Sequence, residues 1–137
     1  MLKLQVQTKK FTSQKFYALT LREIIAQSIF VYPTETCYGL GCDATNRKLV
    51  EMIYDIKGRE SNKPLPCIVA NISMAHQYAK FSPNALELAK KYWPGPLTLV
   101  LPVRKGIFKQ ASPTLTLRNS SNTIAQKLTQ VLGKPIV

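Results

Sequence analysis

Three observations predict an α/β or α+β protein with helices packed on a mixed sheet. Short runs of β-branched and aromatic residues alternate with stretches of helical periodicity. Gly and Pro punctuate most of the joins. The chain is 137 residues long and 45% hydrophobic, enough for one domain with its own core, so 1–137 is read as a single domain.

The elements follow in order. Residues 21–27, LREIIAQ, place Leu21, Ile24 and Ile25 on one helical stripe. SIFVYPT is rich in β-formers and reads as a strand that Pro33 ends or marks as an edge. Residues 46–59 form a strong helix: Leu49, Val50, Ile53 and Ile56 share a face, Asn46 is the cap and Gly58 the stop. PCIVAN is a short strand, and ISMAHQYA a helical turn or two. Ser82 and Pro83 are a specific start signal for a helix over 82–93. Strands follow at 97–103 and 114–118, then a helix over 121–132 with Ile124, Leu128 and Leu132 on one face and Gly133 as its stop. KPIV begins a last extended run.

Composition narrows the function. Nineteen Lys and Arg against seven Asp and Glu give a net charge of +12. Such an excess attracts polyanions such as RNA or nucleotide phosphates; scattered over the surface, it serves solubility instead. The cations are spread out: Lys9, Lys10 and Lys15, then Lys57, Arg59 and Lys63, then Lys90, Lys91, Arg104, Lys105 and Lys109. No apolar stretch approaches the ~20 residues of a membrane span, and the N-terminus lacks the apolar segment of a signal peptide. A cytoplasmic location is the expectation. Cys37, Cys42 and Cys67 are an odd, sparse set without metal-ligand spacing, and are read as small buried thiols with no metal site.

Two stretches carry candidate chemistry. In VYPTETCYGLG the hydroxyls of Thr34 and Thr36 and the Glu35 carboxylate follow a strand end, where α/β proteins place ligands. Gly39 and Gly41 permit positive φ or close backbone approach. A small ligand with an ammonium or hydroxyl suits this stretch, and so does an ordinary turn closed by side-chain–backbone bonds. In IKGRESNKPLP, Lys57, Arg59 and Lys63 surround a helix end, either to meet phosphate oxygens or as a solvated terminus. Walker spacing is absent. Arg118 ends its strand as a carboxylate clamp or a surface charge. Trp93 is read as a core aromatic before a rigid turn rather than a base-stacking platform. His76, the single histidine, is read as structural or exposed, and no Ser-His-Asp set can be built around it.

Together PTETCYGLGCDA, IKGRESNKPL, WPGPLTLVLP and the Arg of LTLR resemble, in order, the YrdC/TsaC family of threonylcarbamoyl-adenylate synthases. The resemblance implies a twisted mixed sheet with flanking helices and a basic concave face. It implies synthesis of threonylcarbamoyl-AMP and pyrophosphate from ATP, L-threonine and bicarbonate, with Mg²⁺ riding on the triphosphate. A separate transferase complex then modifies adenosine in tRNA. Carried over by position, Thr34 and Arg118 meet threonine, and Lys57 and Arg59 serve the nucleotide phosphates as the catalytic pair. Ser61, Lys63 and Thr114 complete the nucleotide site. Two departures stand out. Ser120 occupies the place where the family usually has Pro. Beyond GKPIV, family members continue into a Ser-Ala-Asn segment that contacts both substrates, so the chain is expected to be a C-terminally incomplete YrdC-like domain with an exposed sheet edge. Two alternatives remain: a non-catalytic YrdC-like module that binds tRNA or double-stranded RNA, and part of a larger protein such as the hydrogenase-maturation carbamoyltransferase.

Overall fold

The computed structural model describes residues 13–104 and 112–137, with side chains in the first helix from residue 19 onward. Lys9, Lys10, Lys105 and Lys109, and the side chain of Lys15, lie outside the described residues. The described residues form five helices and five strands, in order α1 (Ser13–Gln27), β1 (Phe30–Pro33), β2 (Tyr38–Gly41), α2 (Arg47–Lys57), β3 (Cys67–Ile68), α3 (Ile72–Tyr78), α4 (Pro83–Tyr92), β4 (Thr98–Pro102), β5 (Thr114–Arg118) and α5 (Thr123–Leu132).

The expected single sheet is two sheets. One is the antiparallel β1–β2 hairpin; the other has the order β3-β5-β4, with β3 parallel and β4 antiparallel to β5. Residues 135–137 stitch them together. Ile136 bridges both Asp43 and Ile68, Val137 N–H donates to the Cys42 carbonyl at 2.9 Å, and Ile68 N–H donates to the Ile136 carbonyl at 2.7 Å. The predicted extended run at KPIV is thus the seam of the fold. β2 was not expected, because its two glycines read as loop.

Side-chain alternation sorts the strands into two cores. Cys67, Leu99, Leu101, Leu115, Leu117 and Val137 pack with α2, α3 and α4. Ile68, Ile136 and Tyr32 pack with Ile25 of α1 and Ala125 and Leu132 of α5. The helix ends obey their signals. Asn46 Oδ1 accepts from Leu49 N–H, and Ser82 Oγ from Ala85 N–H. Gly58 takes φ 59°, and Arg59 N–H closes the end of α2 on the Tyr54 carbonyl at 3.0 Å. Two predicted stripes are narrower than expected. Ile25 is buried but Leu21 and Ile24 are exposed, and Ile53 is buried but Ile56 is exposed. Among the described side chains of α1, Ile25 and Ala26 pack toward β1 and α5, and Ile56 at the end of α2 lies outside the core. Trp93 is a core residue, its Nε1 donating to the Leu97 carbonyl at 2.8 Å with the Phe81 ring edge-on. The His76 ring packs tilted against Phe81, their centroids 4.6 Å apart.

The glycines of the hairpin serve packing. Neither Gly39 nor Gly41 has positive φ. A Cβ on Gly41 would lie 2.5 Å from Tyr32 Cε1 and 2.7 Å from the Val137 carbonyl. What fits against that backbone is the Tyr32 ring, whose hydroxyl donates to Val137 O at 2.9 Å. Burial, with Cys67 nearby, pushes this phenol well above its ordinary range despite Arg118, so it stays a neutral donor.

Candidate functional site

β5 alternates half-buried and buried residues. Leu115 and Leu117 enter the core, leaving Thr114, Thr116 and Arg118 on the opposite face. Thr98 and Val100 of β4 are exposed and pair with Arg118 and Thr116. The result is an open sheet face edged with hydroxyls and ended by one guanidinium. Thr114 and Arg118 stand about 13 Å apart along the strand, at 3.3 Å per residue. Thr114 Oγ1 is within 3.2 Å of Ser112 Oγ.

The end of this face is built around Glu35. Its residue is exposed as a whole, but its side chain turns inward and keeps 18% exposure. Arg118 Nη2 donates to Oε2 at 2.7 Å. Oε1 accepts from Ser120 Oγ at 2.8 Å, Ser121 N–H at 2.6 Å and Ser121 Oγ at 3.1 Å. Ser120 Oγ in turn accepts from Asn122 N–H at 3.1 Å, and Asn122 caps α5 through Ile124 and Ala125. Burial works against the Glu35 charge. The hydrogen bond from Ser120, the N–H groups of Glu35 and Ser121, and the Arg118 charge outweigh it and hold the carboxyl below its ordinary 4.5. Arg118 Nε and Asn119 Oδ1 are buried here without hydrogen-bond partners among the described residues.

Thr34 lies in the same turn. Its Oγ1 donates to the Cys37 carbonyl at 2.6 Å and accepts from Cys37 N–H at 3.3 Å, closing residues 34–37 between β1 and β2. The Thr34 hydroxyl thus makes the side-chain–backbone bonds of a turn, and Glu35 brings that turn to Arg118. Cys37 is exposed at the turn, which corrects the expectation of three buried thiols: a four-residue hairpin tip has no core to enter. Cys42 and Cys67 are buried, and burial, with Asp43 and Cys42 respectively adding to it, pushes their thiols up to about 12.

Lys57 ends α2, and Arg59, Ser61 and Lys63 follow it on the connection to β3, all four exposed. Arg59 Nη2 donates to the Pro64 carbonyl at 3.1 Å, Tyr54 Oη donates to the Lys63 carbonyl at 2.7 Å, and Lys63 Nζ lies 3.7 Å from Glu60 Oε2. β3 then runs parallel to β5, with Ile68 opposite Arg118. Among the described residues no hydrogen bond or ion pair joins this loop to Arg118 or Thr34. Sequence reasoning underrated Glu35 and missed Ser121. It saw Ser120 only as a departure from Pro, yet the hydroxyl that a proline lacks is what reaches Glu35. The Ser-Ser-Asn run before a helix was the available signal.

A family model described as telomere recombination, Sua5/YciO/YrdC, matches residues 23–137. The chain belongs to the Sua5/YciO/YrdC family. Its members include the threonylcarbamoyl-AMP synthase of Pyrococcus abyssi, 38% identical over 112 residues, which cover 79% of this chain and 33% of that one. The Photobacterium profundum threonylcarbamoyl-AMP synthase is 38% identical over 129 residues, 87% of this chain and 65% of that one. The crystal structure of P. abyssi Sua5 complexed with L-threonine superposes with a TM-score of 0.75 at 36% identity, covering 89% of this chain and 36% of that one. This Sua5/YciO/YrdC chain thus spans between a third and two thirds of the length of these relatives. The mixed helix-and-sheet architecture expected from the motifs is the family's fold.

Proposed function

We propose that this chain takes part in synthesis of L-threonylcarbamoyladenylate from ATP, L-threonine and bicarbonate. The observation that carries the reading is the Arg118–Glu35 contact, which sets the Thr34 turn against the guanidinium on an open sheet face. The names of the relatives, and the L-threonine bound in one of them, support the same substrate.

Arg118 takes the threonine carboxylate through its planar fork, and Thr34 faces the rest of the amino acid. Bicarbonate and the threonine amine give a carbamate with loss of water. A carbamate oxygen then attacks the α-phosphorus, and the bond to pyrophosphate breaks. That step requires positioning and neutralised charge rather than a covalent nucleophile. Lys57 and Arg59 supply the charge as the catalytic pair, with Ser61, Lys63 and Thr114 holding the nucleotide. Mg²⁺ arrives on the triphosphate as part of the substrate. The product serves tRNA modification by a separate threonylcarbamoyl transferase complex in the cytoplasm. Among the described residues, no helix is long and apolar enough to cross a membrane.

The +12 charge also favours a second reading, an RNA-binding module for tRNA or double-stranded RNA without catalysis. Pyrophosphate release separates the two: the synthase reading expects release from ATP only with both threonine and bicarbonate present. Salt-sensitive RNA binding with no such release supports the module.

A further inference from the structure

Glu35 and Arg118 lie 83 positions apart in sequence, and no local geometry forces them together. The Glu35 carboxylate nevertheless collects four donors from other residues, three on Oε1 and the Arg118 Nη2 on Oε2. Arg118 keeps 19% side-chain exposure, and its Nε is buried with no hydrogen-bond partner among the described residues. The guanidinium is therefore tethered at one corner and unsatisfied at another. A planar fork held at Nη2 has the direction of its remaining N–H groups set by that tether.

We propose that Glu35 is the positioning residue for the carboxylate-binding end of the site. It fixes Arg118 and the Thr34-bearing turn on one carboxylate and leaves the Nη N–H groups of Arg118 that Glu35 does not take to the carboxylate of an α-amino acid. This rests on the reading of Arg118 given under the proposed function. Glu35 could instead be a resident anion that an incoming carboxylate displaces. The bonds decide between these. Displacement breaks a mostly buried ion pair at Oε2, while the three donors from Ser120 and Ser121 on Oε1 hold the Glu35 carboxylate in place against it. Anchoring keeps all four donors satisfied. The two roles predict opposite signs: loss of the Glu35 charge weakens amino-acid binding if it positions, and tightens it if it competes.

The test uses the whole 137-residue chain and two readouts, the Arg118 Nε–H NMR signal without ligand and calorimetric binding of L-threonine. Glu35→Gln keeps the shape and removes the charge. In a variant that keeps its thermal midpoint within a few degrees, we expect the Arg118 Nε–H signal and the amides of residues 34–37 to shift. Threonine affinity should fall about tenfold, the worth of one charge-assisted hydrogen bond. Unchanged Arg118 and turn signals in both Glu35→Gln and Glu35→Ala overturn the proposal, and so does tighter threonine binding. If these variants do not fold, acid titration of the unmutated chain decides. The groups facing Glu35 are Arg118 of β5 and Tyr32 of β1. The Arg118 Nε–H signal should follow the Glu35 carboxyl carbon below pH 4.5, and independent titration of the two overturns the proposal. A chain that binds no threonine contradicts the proposed function, while the Arg118 signal still decides this inference.

Discussion

Arg118 Nη2 donates to Glu35 Oε2 at 2.7 Å, joining the end of β5 to the turn between β1 and β2. The contact ties the hairpin sheet to the three-stranded sheet on the face where Thr34, Thr114 and Arg118 were expected to act. Ser120, fully buried, extends the tie to the cap of α5 through Asn122.

The pair gives acid stability a defined source. Glu35 ionises below 4.5 in the folded chain, so the unfolded chain binds more protons in that range. Its contribution is fully present above pH 4.5 and is lost as pH falls through the lower folded-state value. Urea denaturation at a series of pH values should show unfolding free energy dropping below 4.5, with a shallower drop in Glu35→Gln. Equal slopes in the two proteins contradict the assignment.

Gly41 should resist any side chain. A Cβ there meets the Tyr32 ring and the Val137 carbonyl at 2.5 and 2.7 Å, and the ring is pinned by its hydrogen bond. Gly41→Ala should cost about 1–3 kcal/mol, the range for overpacking. Gly39→Ala, at 3.4 Å from the same ring, should cost less. Equal thermal midpoints for the two variants count against this packing.

Thiol labelling should be sharply unequal. Cys37 is exposed, while Cys42 and Cys67 are buried with thiols pushed up to about 12, and the thiolate is the reactive form. One cysteine should react quickly in the folded chain and all three in denaturant. Rapid reaction of two or more without denaturant contradicts the fold around residues 42 and 67.

The basic loop should separate binding from stability. Lys57 and Arg59 are exposed, so Lys57→Ala and Arg59→Ala should change stability by no more than about 0.5 kcal/mol. ATP affinity should fall about tenfold or more in each, as charge-assisted contacts to phosphate are lost. Unaltered ATP binding in the double variant removes these residues from the nucleotide site.

Most of the fold was legible because its signals are local. Asn46, Gly58, Ser82, Pro83 and Gly133 each act within a turn of the helix they bound, and β4 and β5 carry alternating patterns. β2 was hidden because its YGLG has little β-propensity of its own; antiparallel pairing with β1 and the Tyr32 ring hold it in place. The split sheet was hidden for a related reason, since its seam at residues 135–137 is made by long-range bridges. In the site, Thr34, Lys57, Arg59 and Arg118 stood out as residue types at strand and helix ends. The Glu35 anchor did not, because its partners lie 83 to 86 positions away.

The most direct test of the central claim supplies labelled bicarbonate with L-threonine and MgATP and looks for the label in threonylcarbamoyl-AMP by mass spectrometry. The account predicts a labelled adenylate formed together with pyrophosphate, dependent on all three substrates and lost in Arg118→Ala. Pyrophosphate release that ignores threonine, or no labelled adenylate with all three substrates present, would contradict it.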